Sequence, residues 1–361
     1  MKGQFLFVSN GVGEDLIAAR IIASLPAADV AVTAYPLVGV GAYPPHIPVL
    51  DPRRDLPSSG FSLRTGLRGL GADLASGMIG LWFAQRRTLA AQRGRFDLAV
   101  AVGDVYCLWM AQLAAPRAAL VATADSVRAG AFNPPSRRAL RRHGRRIFAR
   151  DPDTADALTA MGLPAVWLGN VMMDLVQPTG ETFGLAPEVP VVTLLPGSRR
   201  EAPENAALLA QAAAAITDKI PDVRFLMALA PTVRMAAVRE RTGAARLRLT
   251  TAFADAVACA TVVIGMAGTA NEQAAGLGKP VVAFPGPGAQ FGPEFLRAQH
   301  LLLGDAVVPA RHWRDAADAV VRLLRDPGER DRRGAIGRER MGPPGGAQRI
   351  AEALLEMIQN G

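Results

Sequence analysis

The apolar residues of this chain fall in short blocks, set between longer stretches of helical period, and the two alternate from end to end. Residues 4–8 form the first block. The turn Ser9-Asn10-Gly11-Val12-Gly13 then leads into a helix from Glu14. Further buried strands are predicted at 30–38, 96–102, 118–122, 147–149 and 165–168, with a long helical region over 61–93 and a helix from Asp153. Between 169 and 190, Gly and Pro interrupt the periodicity, and the domain linker is expected there. The pattern restarts with strand 190–195, then helix 201–217, strand 223–229, a further helix and strand, helix 251–259, strand 261–264, helix 269–277 and strand 280–284. A helix near 311–325 follows, and Gly345-Gly346 precedes a final amphipathic helix.

Such alternation predicts parallel sheets covered on both faces, an α/β architecture of two Rossmann-like domains. The expected boundaries are 1–168, 169–345 and a C-terminal segment 346–361. Ligands of such folds bind at the carboxyl ends of the strands, so the cleft facing both domains is the expected site.

Composition narrows the functional classes. Half of the 361 residues are apolar and a fifth are charged, as in ordinary globular proteins. The net charge is +8, carried almost wholly by Arg, since Lys2, Lys219 and Lys279 are the only lysines. Zinc-ligand spacing, an RNA-binding aromatic signature and a basic zipper are all absent, so nucleic acid is not an expected partner. Cys107 and Cys259 stand alone in apolar surroundings and read as reduced, buried thiols of a cytoplasmic protein. The run Phe5–Val8 is too short for a signal peptide, and no stretch has the length of a membrane-spanning helix.

Two strand–turn–helix units of the second half carry the clearest chemistry. Leu-Leu-Pro-Gly-Ser-Arg-Arg-Glu (194–201) offers Gly197, Ser198 and Arg199 to a phosphate; it also fits a capping box with Ser198 as N-cap and Glu201 as its partner. The second turn (265–273) offers Gly268, Thr269 and Ala270, with Thr269 able to cap the helix or donate to a phosphate. Free N–H groups at two helix starts, about 70 residues apart, suggest one split pocket for a diphosphate. Asn271, Glu272 and Gln273 would then reach a sugar hydroxyl. In the first half Gly11 and Gly13 lack dinucleotide-motif spacing, and Glu14 and Asp15 open a helix as acceptor-side wall or dipole partners. Asp104 ends a strand and reads as a general base or as an N-cap, and Asp125 is the second such acid. Asp153 or Thr154 reads as an N-cap rather than a metal ligand, and the four histidines have no metal-ligand spacing. Residues 61–95, with Trp82, Phe83 and interspersed Arg, suit a membrane-surface helix or a core helix with basic ends. The Arg run 137–146 reads as an anionic-lipid contact or a solvated face.

Seven segments, in order, carry a resemblance: SNGVGEDLIAARI (9–21), VGDV (102–105), ARDPDTADAL (149–158), LGNVMMD (168–174), LLPGSRRE (194–201), GMAGTANEQAAGLGKPVV (265–282) and PGPGAQFGPEFLRAQ (285–299). The chain resembles the lipid A disaccharide synthases, and most closely the synthase-related proteins. That resemblance implies the B-type glycosyltransferase (GT-B) fold. It implies a UDP-sugar donor in the second domain and a lipid or other hydrophobic acceptor in the first, at the inner membrane surface. The last helix would cross back onto the first domain. Neither a metal nor a separate cofactor is implied. Gly197, Ser198 and Arg199 match the family's diphosphate turn, and Gly268, Thr269 and Ala270 its second donor turn. The glutamate ending that motif aligns with Gln273, next to Glu272, and Gln290 is carried over from 285–299. Asp104 matches the aspartate after the family's strand; Asp15 and Asp125 complete the candidate catalytic set. Relatives have His where this chain has Val12, and Pro where it has Val171. The implied reaction is inverting transfer of a hexose. The alternatives are a non-catalytic nucleotide-sugar-binding protein, or a UDP-sugar epimerase or hydrolase on the same fold.

Overall fold

The computed structural model describes residues 3–54, 77–130, 132–243, 246–287 and 291–359. The chain forms two compact units, Met1–Leu175 with Pro344–Gly361, and Val176–Pro343.

The first unit is a six-stranded parallel sheet in the order β2-β1-β3-β4-β5-β6, with β1 Gly3–Ser9, β2 Val30–Pro36, β3 Leu98–Gly103, β4 Ala118–Ala122, β5 Gly144–Phe148 and β6 Ala165–Val166. Both faces of β1 are apolar. Phe5 and Phe7 join one core with Ile17 and Ile21, while Leu6 and Val8 join the other with Leu108 and Met110. A strand buried on both sides reads as a continuous apolar run, which is why the sequence marked it so clearly. The covering helices are α1 Val12–Ala23, α2 Met78–Ala91, α3 Val105–Ala111, α4 Pro134–His143, α5 Pro152–Ala160 and α6 Val171–Asp174. Of the helix predicted over 61–93, residues 61–76 lie outside the described residues. The Arg run 137–146 divides between α4 and β5.

The second unit is another six-stranded parallel sheet, ordered β12-β11-β10-β7-β8-β9. Its strands are β7 Val191–Leu195, β8 Arg224–Ala228, β9 Arg248–Thr250, β10 Val262–Gly265, β11 Val281–Ala283 and β12 Val307–Pro309. Its helices are α7 Ala202–Thr217, α8 Met235–Thr242, α9 Phe253–Ala258, α10 Thr269–Gly276, α11 Pro293–Leu303, α12 Trp313–Arg325 and α13 Pro327–Met341. The pattern did not predict α13, whose surface is mostly charged and whose interior carries Gly334 and Gly337. Those glycines are required by packing: a Cβ at Gly337 would sit 2.2 Å from the Ala275 carbonyl of α10, and one at Gly334 2.3 Å from the Gly278 carbonyl.

The last helix, α14 Gly346–Gln359, packs Ile350, Ala351 and Leu354 into the first unit's core beside α1. Asp174 fixes its start, accepting from the backbone N–H of Gly345 and, at 2.7 Å, of Ala347. The first unit therefore runs to Leu175, past the break read from Gly and Pro at 169, because Asn170 caps α6 and Asp174 holds α14. Residues 179–181 belong to the second unit, where their N–H groups converge on the Asp255 carboxylate.

Candidate functional site

In the second unit β7 is the first strand, β8 lies to one side and β10 to the other. The strand order reverses between β7 and β10, and such a switch point opens a crevice at the strands' carboxyl ends. Leu195 pairs with Gly265, so the two Gly-rich turns leave neighbouring strands side by side. Gly197 has φ +92°, and a Cβ there would lie 3.1 Å from the Met266 carbonyl. Only glycine combines that backbone with that approach.

Ser198 does not form the expected capping box. α7 starts at Ala202, Glu201 occupies the N-cap position, and no side chain caps the helix. Ser198 and Arg199 are exposed on the turn, which Thr232 steadies by donating its hydroxyl to the Ser198 carbonyl at 2.7 Å. In α10, Gly268 takes the N-cap position and Thr269 is the first helical residue, so Thr269 does not cap either. No side chain caps this helix. The first N–H groups of a helix lack intrahelical partners, and the helix dipole favours an anion there. Thr269 is exposed, Ala270 half-buried, and Glu272 and Gln273 are buried. Asn271, expected to reach a sugar, is fully buried: its amide donates to the Gly265 carbonyl (3.2 Å) and to Gln299 Oε1 (2.9 Å). Gln290 lies outside the described residues.

Two residues that the sequence did not single out each hold one of these turns in place. Asn205 of α7 donates to the Pro196 carbonyl at 2.9 Å. Gln299 of α11 donates to the carbonyls of Ala267 (3.2 Å) and Gly268 (3.1 Å). Asn205 lies in the first turn of α7, nine residues beyond Pro196, and Gln299 lies in α11, 31 residues beyond Gly268; only a polar residue on an otherwise buried helix face hinted at them. Phe295 lies one helical turn before Gln299, with its ring tip 3.2 Å from where a Gly268 Cβ would stand. Phe291 packs against it at 5.4 Å between ring centroids.

The first unit has a corresponding switch point between β1 and β3. Its turns bring four carboxyl-bearing residues near one another. Asp104 is the N-cap of α3, accepting from Tyr106 N (3.0 Å) and Cys107 N (3.2 Å). Burial raises its carboxyl above the usual range, and the charge of Asp125 adds to this. Glu14 is half-buried in the first turn of α1, with its Cγ 3.7 Å from the Cβ position of Gly103. Asp15 is fully buried, so it meets no ligand in this conformation. It accepts from Ser9 Oγ at 2.5 Å and from Ala42 N at 3.1 Å, and Ser9 Oγ lies 2.6 Å from Tyr43 Oη. Burial pushes the Asp15 carboxyl up to about 6, against the lowering effect of these bonds. Asp15 thus fastens the segment after β2 to the first turn of α1, and Glu14 is the acid presented beside Gly103. Helical period explains the difference: adjacent residues point about 100° apart. Val12 is 60% exposed at the helix start.

Two further expectations change. The N-cap of α5 is Asp151, which accepts from Thr154 N at 2.9 Å, because Pro152 takes the first helical position. Cys259 is half-buried in polar surroundings, its thiol against the Glu181 carbonyl, whereas Cys107 is buried as expected. α2 turns Ile79 and Phe83 to solvent one turn apart and sets Arg86 against the stacked rings of Trp82 and Trp109, at 4.8 and 4.5 Å. Among the described residues no helix is long and apolar enough to cross a membrane.

No family model matches the chain. It is similar to the lipid-A-disaccharide synthase of Geobacter sulfurreducens, 29% identical over 223 residues, which is 55% of this chain and 58% of that protein. It is 31% identical over 229 residues to that of Syntrophus aciditrophicus, 55% of this chain and 59% of that protein. The match thus spans somewhat over half the length of these curated relatives. Solved structures resemble nearly the whole chain. They include UDP-GlcNAc 2-epimerase from Neisseria meningitidis bound to UDP-GlcNAc (TM-score 0.58, 15% identity, 98% of this chain and 100% of that one). They also include MurG of Acinetobacter baumannii (0.61, 14%, 99% and 100%) and the calicheamicin glycosyltransferase CalG4 (0.61, 16%, 99% and 98%). The two sheets and these neighbours make the fold that of the GT-B proteins, two Rossmann-like units.

Proposed function

We propose that this protein is a glycosyltransferase that moves a hexose from a UDP-sugar to a lipid or other hydrophobic acceptor. The observation that carries this reading is the pairing of the Gly197 turn after β7 with the uncapped glycine start of α10 after the neighbouring strand β10. Similarity to lipid-A-disaccharide synthases supports the transferase over the epimerase reading.

In the proposed reaction the diphosphate lies against the N–H groups of Gly268, Thr269 and Ala270, with Ser198 and Arg199 at the other turn. A carboxylate of the Glu14, Asp104 and Asp125 group takes the proton from the acceptor hydroxyl. The acceptor oxygen bonds to the anomeric carbon from the face opposite the leaving group, the bond to the distal phosphate breaks, and UDP departs with the charge. Inversion follows from the single displacement, and the helix dipole and Arg199 stabilise the leaving charge without a metal. Burial holds the Asp104 carboxyl above its ordinary range, which makes its carboxylate a stronger proton acceptor. Ile79 and Phe83, followed on α2 by Arg86 and Arg87, form a face suited to an anionic membrane surface.

Calorimetric titration with UDP and UDP-GlcNAc tests the pocket; absence of binding by both removes the reading. The second reading, a protein that binds nucleotide sugar without turning it over, rests on Val12, which stands where the resemblance implies His. It predicts UDP-hexose binding with no release of UDP. Under the transferase reading, D104N or E14Q lowers UDP release by a hundredfold or so and leaves UDP affinity unchanged.

A further inference from the structure

We propose that Phe295 is the surface on which the hexose ring of the donor stacks, and that this residue, rather than the phosphate turns, holds the sugar in place. This rests on the nucleotide-sugar reading above and adds the contact that distinguishes a UDP-sugar from UDP.

Phe295 is 42% exposed, and among the described residues of the second unit no other aromatic side chain is exposed. An aromatic ring left in water forfeits the stabilisation that burial would bring, and this one sits at the rim of a polar turn. Its placement is enforced from two sides. Gln299, one turn further along the same face of α11, bonds the Ala267 and Gly268 carbonyls and Asn271, which pins the helix to the turn. Gly268 provides the room, because a side chain there would meet Phe295 Cζ at 3.2 Å and Cε1 at 3.7 Å. Phe291, itself buried, packs on the ring at an interplanar angle of 50° and leaves the rest of the ring open.

The chemistry of the ligand selects the occupant. In a nucleoside diphosphate sugar the hexose is attached directly to the distal phosphate, whereas the base is removed from the other phosphate by a ribose. An apolar ring in contact with the turn that receives the diphosphate is therefore within reach of the hexose. The C–H face of a pyranose is an apolar surface that packs on an aromatic ring.

The experiment is a calorimetric titration of the full chain with UDP, UDP-GlcNAc, UDP-glucose and UDP-galactose, using the wild type, F295A, F295L and F295Y. The expected result is about a tenfold loss of affinity for the preferred UDP-hexose in F295A and F295L, affinity for UDP within twofold of wild type, and recovery in F295Y. Unchanged thermal unfolding of each variant excludes a folding defect. Equal loss for UDP and UDP-hexose overturns the proposal, because Phe295 would then only shape the phosphate turn. So does unchanged affinity for all four ligands. A wild type that binds neither UDP nor any UDP-hexose overturns the nucleotide-sugar reading itself, and the proposal with it.

Discussion

Replacing Asp15 with Asn should stabilise this protein at pH 8 and leave it nearly unchanged at pH 4. The Asp15 carboxyl is fully buried, its hydrogen-bond donors are a hydroxyl and a backbone amide, and its carboxyl is raised from 3.8 to about 6. Between those two values the folded state binds a proton that the unfolded state has released. Stability contributed by this group is therefore complete below about pH 4 and is lost as pH rises through 6. The shift of roughly two units, at about 1.4 kcal/mol each, sets the loss at about 3 kcal/mol above pH 7. An Asn at 15 has no charge to bury and keeps the network. Its Oδ1 accepts from Ala42 N, its Nδ2 donates to Ser9 Oγ, and Ser9 donates to Tyr43. Thermal unfolding of the wild type and D15N from pH 4 to pH 8 should show a gap that opens between about pH 4 and 6 and then stays constant. For a unit of this size 3 kcal/mol corresponds to roughly 6–12 °C in Tm. A gap that is flat across this range, or a D15N protein less stable at pH 8, would refute the reasoning.

Other variants probe separate parts of the fold. R199A should weaken UDP binding by about tenfold or more in calorimetry, the worth of one charge-assisted hydrogen bond to phosphate. G337A should lower Tm despite the better helix propensity of Ala, because its Cβ would collide with the Ala275 carbonyl; a gain in Tm would mean that α13 can move off α10 at little cost. D174A removes the acceptor for the Gly345 and Ala347 amides and should cost roughly 2–3 kcal/mol, with limited proteolysis now cutting near 343–346.

What could be read from the sequence followed from locality. Strand β4 was located to the residue, and the alternation of apolar blocks with helical stretches gave both sheets, because each signal lies within one element. Both Gly-rich turns were visible for the same reason. That they come together was expected from their shared chemistry, and the strand order that places β7 beside β10 brings it about. Asp15 and Glu14 were indistinguishable on the chain, yet the fold buries one and leaves the other beside Gly103. Asn271 looked like a sugar ligand until Gln299, 28 residues away, claimed its amide. The cap of α5 depended on where Pro152 fixed the first turn. Helix α13 escaped notice because its buried side consists largely of glycine, which carries no hydrophobic signal.

The return of α14 to the first unit has a consequence for biosynthesis. Ile350, Ala351 and Leu354 fill the core beside α1, so the first unit lacks a wall until residues 346–359 have been translated. All of Val176–Pro343 is synthesised in between. At ribosomal rates of about 5–20 residues per second, that interval is on the order of 10–30 s. The second unit, continuous in sequence, can finish folding during this time, whereas the earlier-made half must wait with an apolar face of α1 uncovered. The order of completion on the ribosome is thus the reverse of the order of synthesis, and the nascent first unit is the stretch most in need of a chaperone.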